Sequence, residues 1–240
     1  MGESRHNPNQ LLKTIQADEG NRNKGHLKIF FGYAAGVGKT YAMLEAAHME
    51  KQQGIDVVAG YVEPHARPKT AALLNGLEVL PTSEVLYNGM ILNEFDIDMA
   101  LKRKPQLILV DELAHTNAEG CRHAKRYQDI KELLNAGIDV YTTVNVQHIE
   151  SLCDTVASIT EIVVRERIPD SLFDNADQVE LIDIEPQDLI DRLNTGNVYR
   201  QTQTNRCRKF FHNRKFDSSS GDCTAAMCGQ GEYPHRKYPH

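Results

Sequence analysis

Residues 36–40 read Gly-Val-Gly-Lys-Thr, which are the residue types of a loop that binds the phosphates of a nucleotide. Glycines let successive backbone N–H groups point at phosphate oxygens. A lysine adds a positive charge for the β and γ phosphates, and a threonine hydroxyl can ligate Mg²⁺. We therefore predict that ATP is bound by six consecutive residues: Gly36, Val37, Gly38, Lys39, Thr40 and Tyr41.

The start of this loop departs from the usual spacing, Gly-x4-Gly-Lys-Ser/Thr. That spacing places Tyr33 where a glycine is expected, and Gly32 lies one residue too early. A dinucleotide fingerprint fits less well, because Tyr41 stands where it requires a small residue. A glycine-rich turn without a ligand is the alternative.

Two carboxylates stand at the end of an apolar run that is predicted to be a buried strand at residues 106–111. Asp111 ends this run, where a Walker-B aspartate holds magnesium, so we predict a Mg²⁺ site made by Thr40 and Asp111. Glu112 comes next and is a candidate catalytic base that would orient the attacking water. An acid at a strand end can also be a plain cap or turn residue, and nucleotide binding without hydrolysis needs no base.

Further polar residues follow the predicted strands, at the edge where ligands bind in open parallel sheets. The residues expected to line a pocket there are Glu63, His65, His115, Thr116, Asn117, Asn145, Gln147 and His148. The alternative is that they are ordinary polar loop residues or helix caps. A basic run could reach a phosphate or form a solvated face: Arg122, His123, Lys125 and Arg126.

The elements that must position these residues alternate between strand and helix. Apolar runs predict strands at residues 27–31, 55–62, 106–111, 138–146, 161–166 and 178–184. Helical patterns occur at residues 8–18, 39–53, 70–75, 94–104, 125–136, 147–156 and 186–193. This alternation predicts an α/β fold, a P-loop NTPase-like parallel sheet with helices on both faces.

Composition narrows the functional classes. The 240 residues carry a formal net charge of -6, which argues against nucleic-acid binding through a basic face. No apolar run approaches a membrane span, and residues 1–24 lack the apolar stretch of a signal peptide, so we expect a cytoplasmic protein. The five cysteines match no common zinc spacing. Unpaired thiols are favoured over a metal site at Cys223, Cys228 and His235, because a tetrahedral site needs four converging ligands.

Longer stretches resemble one family. Residues 35–40 read Ala-Gly-Val-Gly-Lys-Thr, residues 109–117 read Leu-Val-Asp-Glu-Leu-Ala-His-Thr-Asn, and residues 142–152 read Thr-Thr-Val-Asn-Val-Gln-His-Ile-Glu-Ser-Leu. Together with residues 122–130 and 136–140, these motifs resemble the N-terminal domain of KdpD. The KdpD family comprises osmosensitive potassium channel sensor histidine kinases of bacteria.

The resemblance implies a cytoplasmic sensory domain that binds ATP through its Walker motifs and modulates the kinase and phosphatase activities. Its partners would be the remaining domains of a sensor kinase, which anchor full-length relatives in the inner membrane. This chain shows no kinase core, so we expect at most weak ATP hydrolysis. The alternatives are a free-standing P-loop ATPase or small-molecule kinase, and an interaction domain whose loop has lost its ligand, as Tyr33 would suggest.

The predicted organisation has three parts: a polar lead-in at residues 1–25, the sensor domain at residues 26–206, and an irregular tail at residues 207–240. The tail contains Cys-Arg-Lys-Phe-Phe and a Ser-Ser-Ser-Gly stretch but no periodic pattern. Relatives continue here with an amphipathic helix that reads Ala-Glu-Asn-Phe-Phe. A back-translation of residues 207 onward, shifted by one base, can be read with that helical pattern, so our hypothesis is an out-of-frame tail without regular structure.

Overall fold

A computed structural model describes residues 24–63, 67–87, 89–160, 163–185 and 188. The strands are β1 Leu27–Gly32, β2 Val57–Tyr61, β3 Glu78–Val79, β4 Ser83–Tyr87, β5 Met90–Glu94, β6 Leu107–Val110, β7 Asp139–Asn145 and β8 Gln178–Leu181. The helices are α1 Lys39–Gln52, α2 Pro68–Ala72, α3 Ile97–Arg103, α4 Arg126–Asn135, α5 Glu150–Thr160 and α6 Asp170–Asp174, and a 3-10 turn spans Val146–His148.

Six of the described strands form a parallel sheet with the order β3-β2-β6-β7-β1-β8. The other two, β4 and β5, form a separate antiparallel hairpin. Every residue of β2 and β6 is buried, as expected for central strands that are covered on both faces. On one face, Met43 and Leu44 of α1 pack against Phe30 of β1. The other face is covered by apolar residues of α3 and α4: Ile97, Ala100, Ile130, Leu133 and Leu134. The predicted parallel α/β class with helices on both faces is confirmed.

Strand β7 lies between the two strands that carry the predicted nucleotide residues. It pairs with β1 on one side, where Asn145 is the register partner of Gly32, and with β6 on the other, where Tyr141 is the partner of Leu109. Because all three strands run in parallel, their carboxyl ends meet at one edge of the sheet. The loop after β1 and the carboxylates after β6 therefore face each other across the end of β7.

One local prediction is wrong, and a second gives a helix that is longer than the observed one. The segment 161–166 was expected to be a strand, but its described part, residues 163–166, joins no β-ladder. The outer edge of β1 is taken by β8 instead. The hairpin was not predicted, and the helix expected over 94–104 begins only at Ile97, because Asp96 caps it by accepting a hydrogen bond from the Met99 N–H at 2.9 Å.

Several predictions lie outside the described residues. These are the helices at 8–18 and 186–193, the tail at 207–240, nearly all of the lead-in, and the pocket residue His65. The boundaries of the predicted parts therefore stay predictions.

The sequence left two environments open for the basic run, a phosphate site and a solvated face. Arg126 lies in neither. Its side chain is fully buried at the start of α4. The guanidinium donates to Glu94 Oε2 at 3.1 Å and to Asn117 Oδ1 at 3.2 Å, and its carbon lies 4.3 Å from the centre of the Tyr61 ring. Arg126 therefore joins α4 to the hairpin from inside the core, and it belongs to neither a solvated face nor a phosphate site.

The Glu94 carboxylate at the end of β5 is the partner that makes this burial possible. Burial alone would raise the pKa of Glu94. Hydrogen bonds from His115 and the Ala118 N–H, together with the positive charge of Arg126, hold that pKa below its ordinary value. The carboxylate is thus ionised and compensated from three directions.

We predict that Arg126→Ala destabilises the fold by about 3–5 kcal/mol, because it leaves the Glu94 charge buried without its cationic partner. The matched control is Arg122→Ala. Arg122 pairs with Asp98 and Glu132 at the surface, and loss of such a pair costs below about 1 kcal/mol. Urea unfolding followed by circular dichroism measures both values, and equal losses in the two variants would contradict the prediction.

Candidate nucleotide-binding site

The loop between β1 and α1 has the backbone that a phosphate loop requires. Gly36 and Gly38 have φ angles of 91° and 114°, in the left-handed region that residues with a Cβ rarely adopt. Gly38 is the N-cap of α1, and within the described chain no side chain caps that end. The first N–H groups of a helix have no partner inside it. This end of α1 is therefore suited to an anion.

The structure gives a physical reason for the unusual start of the loop. Tyr33 is not among the described non-glycine residues with a positive φ, so the first motif position does not need glycine here. Its hydroxyl donates to the Ile184 carbonyl at 2.9 Å and ties the loop to the chain after β8. The close approach occurs one residue earlier, where a Cβ on Gly32 would lie 2.8 Å from Cγ2 of Val37. A side chain at position 32 would therefore force Val37 to shift.

The Lys39 side chain folds back over the loop. It is 8% exposed, and its Nζ donates to the Ala34 carbonyl at 2.8 Å. The ammonium is thereby held beside the loop backbone, where a bound phosphate would meet both the charge and the N–H groups. Tyr41, by contrast, projects to solvent with 38% of its surface exposed. Only its backbone, in the first turn of α1, is placed to contribute to phosphate binding.

The Asp111 carboxylate is the point where loop and sheet meet. It is 1% exposed. Its Oδ2 accepts a hydrogen bond from the Thr40 hydroxyl at 3.0 Å, and its Oδ1 accepts from the Glu112 N–H at 3.0 Å and from the Thr143 hydroxyl. The structure thus brings together the two predicted magnesium ligands. Thr143 was not a candidate, because nothing in its local pattern distinguishes it from any threonine in a strand.

These oxygens fit a magnesium ion chemically, since a carboxylate and a hydroxyl are the hard ligands that Mg²⁺ prefers. In the part of the chain that the structure describes, no cluster of three or more His, Cys, Asp or Glu residues could hold a metal. Magnesium at Thr40 and Asp111 would therefore need waters and the phosphates of a nucleotide to complete its octahedral shell.

Glu112 has a strained backbone. Its φ angle is 59°, a conformation that costs a residue with a side chain roughly 1–2 kcal/mol. The surrounding bonds impose it: its N–H binds the Asp111 carboxylate, its carbonyl accepts from the His115 N–H at 2.9 Å, and the next N–H, of Leu113, donates to the Thr143 carbonyl at 3.0 Å. Strain of this kind is concentrated at functional sites.

The remaining strand-end candidates divide into two groups. His148 lies near the loop. Burial holds its pKa below the ordinary value, although the contact with Glu166 opposes this effect, and the charges of Lys39 and Glu112 act on it in opposite directions. Its Nδ1 lies 2.9 Å from the Glu166 carbonyl. Three others belong to the contacts around Arg126 and α4 and not to the loop: His115, Thr116 and Asn117.

A comparison with known families decides the identity of the chain. Residues 23–218 match the family described as KdpD, the osmosensitive K+ channel His kinase sensor domain. The chain belongs to this family. The expected KdpD resemblance is confirmed, and both the glycine loop and Asp111 lie within the matched residues.

Relatives with the KdpD name agree with the family match. The chain is 61% identical over 202 residues to the sensor protein KdpD of Clostridium acetobutylicum, covering 84% of this chain and 22% of that protein. It is 54% identical over 207 residues to the sensor protein KdpD of Escherichia coli, covering 86% and 23%. The chain therefore spans less than a quarter of the length of these KdpD proteins.

Across the described ranges, each helix is too short or too polar to cross a lipid bilayer.

We predict that Thr143→Val destabilises this KdpD domain by about 2 kcal/mol, because the buried Asp111 carboxylate loses a hydroxyl donor. Thr142→Val is the matched control. Thr142 directly precedes Thr143 on β7 and is fully buried. Its Oγ1 has no hydrogen-bond partner within the described chain. Its replacement by an isosteric apolar group is expected to be neutral or slightly stabilising. Guanidinium unfolding of the nucleotide-free protein measures both, and a neutral Thr143→Val would contradict the prediction.

Proposed function

We propose that this chain is an ATP-binding regulatory domain of a two-component sensor histidine kinase that responds to potassium or osmotic stress. The observation that carries the proposal is the hydrogen bond between Thr40 and Asp111. It joins the end of the glycine loop to the Walker-B position, so that one Mg²⁺ would be shared by a hydroxyl, a carboxylate and the nucleotide phosphates.

In the proposed complex the phosphates lie against the loop backbone and the first turn of α1, and the Lys39 ammonium moves from the Ala34 carbonyl to the β and γ phosphates. The anion would then be neutralised by the lysine, by the positive end of the helix and by the magnesium. The contacts come from six residues: Gly36, Val37, Gly38, Lys39, Thr40 and Tyr41.

A regulatory role for ATP is supported by the relatives, which are named sensor proteins and are more than four times as long as the matched segment. The proposed partners are the other domains of such a kinase, or a related full-length kinase, on the cytoplasmic side of the inner membrane. ATP occupancy would be passed to them as a change in the loop and in the segment after β6.

The alternative of a small-molecule kinase loses part of its support. A kinase of this kind usually has an arginine-bearing lid, and Arg122 and Arg126 are the pair in the sequence that suggests one. Arg126 is fully buried against Glu94, and Arg122 pairs with Asp98 and Glu132 at the surface. A free-standing P-loop ATPase is separated from the regulatory proposal by the rate of phosphate release.

Isothermal titration of Mg-ATP into the wild type and Lys39→Ala tests the proposal. We expect binding by the wild type and about tenfold to hundredfold weaker binding by the variant, because a charge-assisted hydrogen bond contributes about 1.5–3 kcal/mol. Lys51→Ala is the control, since Lys51 lies at the far end of α1 and is exposed. Absence of ATP binding by the wild type, or equal binding by all three proteins, would refute the proposal.

Phosphate release tests the role of Glu112. If it is the base that orients water, slow release by the wild type falls about a hundredfold or more in Glu112→Gln, while ATP still binds. The matched control is Glu119→Gln, an exposed carboxylate in the same loop. Release that is unchanged in Glu112→Gln would exclude the base role. Rapid turnover by the wild type would favour an ATPase over a regulatory domain.

A further inference from the structure

Three polar side-chain oxygens in β7 and the turn that follows it have no hydrogen-bond partner in the described chain. Within the described chain, Thr142 Oγ1, Asn145 Oδ1 and Gln147 Oε1 are buried and accept no hydrogen bond. A buried acceptor left in this state costs about 1–3 kcal/mol. Native structures contain few such groups, and each one needs a physical explanation.

Asn145 is the member of this set that faces the nucleotide loop. Alternate residues of a strand share a face, so Tyr141, Thr143 and Asn145 lie on one face of β7. The Tyr141 hydroxyl donates to Glu50 of α1 at 2.9 Å, and the Thr143 hydroxyl donates to Asp111. Asn145 is the next residue along this face, at its carboxyl end. Thr142 belongs to the opposite face.

The position of β7 in the sheet places this amide between the two halves of the site. One neighbour is β1, where Asn145 is the register partner of Gly32 at the start of the loop, and the other is β6, which leads into Asp111 and Glu112. In a phosphate loop of this kind the last phosphate of a nucleoside triphosphate is held between the loop lysine and the magnesium aspartate. The carboxyl end of β7 borders that space.

A local structural role does not account for the Asn145 side chain. It occupies the N-cap position of the 3-10 turn Val146–His148, where asparagine often caps with its side-chain oxygen. Here the side chain makes no capping hydrogen bond. The oxygen is thus buried at a cost in stability without forming the bond that usually explains an asparagine at this position.

We propose that Asn145 is a binding residue for the γ-phosphate end of ATP and that it makes the site distinguish ATP from ADP. The amide NH₂ donates to a γ-phosphate oxygen, and Oδ1 accepts from a water held by that phosphate and the magnesium. ADP lacks the group that would satisfy this amide. The inference rests on the proposed ATP-binding function and adds the residue that reads the third phosphate.

Titration of Mg-ATP and Mg-ADP into Asn145→Ala tests the inference. We expect ATP affinity to fall about tenfold, as for loss of one hydrogen bond to a charged group, and ADP affinity to stay unchanged. The unfolding midpoint of the nucleotide-free variant should stay equal or rise, because an unsatisfied acceptor has been removed. A merely structural asparagine would lower the midpoint and weaken both nucleotides equally.

Two further variants sharpen the result. Asn145→Asp introduces a negative charge and should weaken ATP more than Asn145→Ala does, because it repels the γ-phosphate. Thr142→Val removes an unpartnered oxygen from the opposite face and should leave the ratio of ATP to ADP affinity unchanged.

The outcomes separate this inference from the proposed function. Wild-type protein that binds neither nucleotide would overturn both. Wild-type protein that binds ATP, together with an unchanged ATP-to-ADP ratio in Asn145→Ala, would overturn the role of Asn145 alone.

Discussion

The buried Asp111 carboxylate is the constraint on which the arrangement of the site depends. A charge that is almost completely removed from water requires donors with good geometry. They come from three places along the chain: Thr40 in α1, Thr143 in β7 and the N–H of Glu112. Because each donor belongs to a different element, their convergence fixes the glycine loop relative to the sheet.

A second buried charge, the Arg126 guanidinium, contacts the end of β6 from the side of α4. Arg126 contacts Glu94 and Asn117, and its Nη1 lies 3.4 Å from the Asp111 carbonyl. The Asp111 backbone is thus contacted from α4 while its side chain is held from α1 and β7. These two networks account for the division among the polar strand-end residues. One group lies on the side of the glycine loop, and the other stabilises α4 and the hairpin.

Several of the local costs in stability lie beside the candidate site, and one, at Thr142, lies on the opposite face of β7. Glu112 has a left-handed backbone, and Asn145 and Gln147 have buried oxygens without partners in the described chain. The network around Arg126, in contrast, satisfies its charges with one another. Natural proteins depart from local rules mainly where function requires it. The costs at Glu112 and Asn145 therefore agree with a ligand site between the loop and the ends of β6 and β7.

The sequence by itself determined the KdpD family, the parallel α/β class and the positions of the loop and of Asp111. These features depend on signals within a few residues of each other, such as apolar runs, helix periodicity and glycine spacing. The strand expected at 161–166 failed because an apolar run does not reveal whether an edge is available for pairing. Only the tertiary structure decided that β7 separates β1 from β6, that Arg126 is buried, and that the Thr143 hydroxyl meets Asp111. Strand order decides which distant polar side chains meet, and no local pattern encodes it.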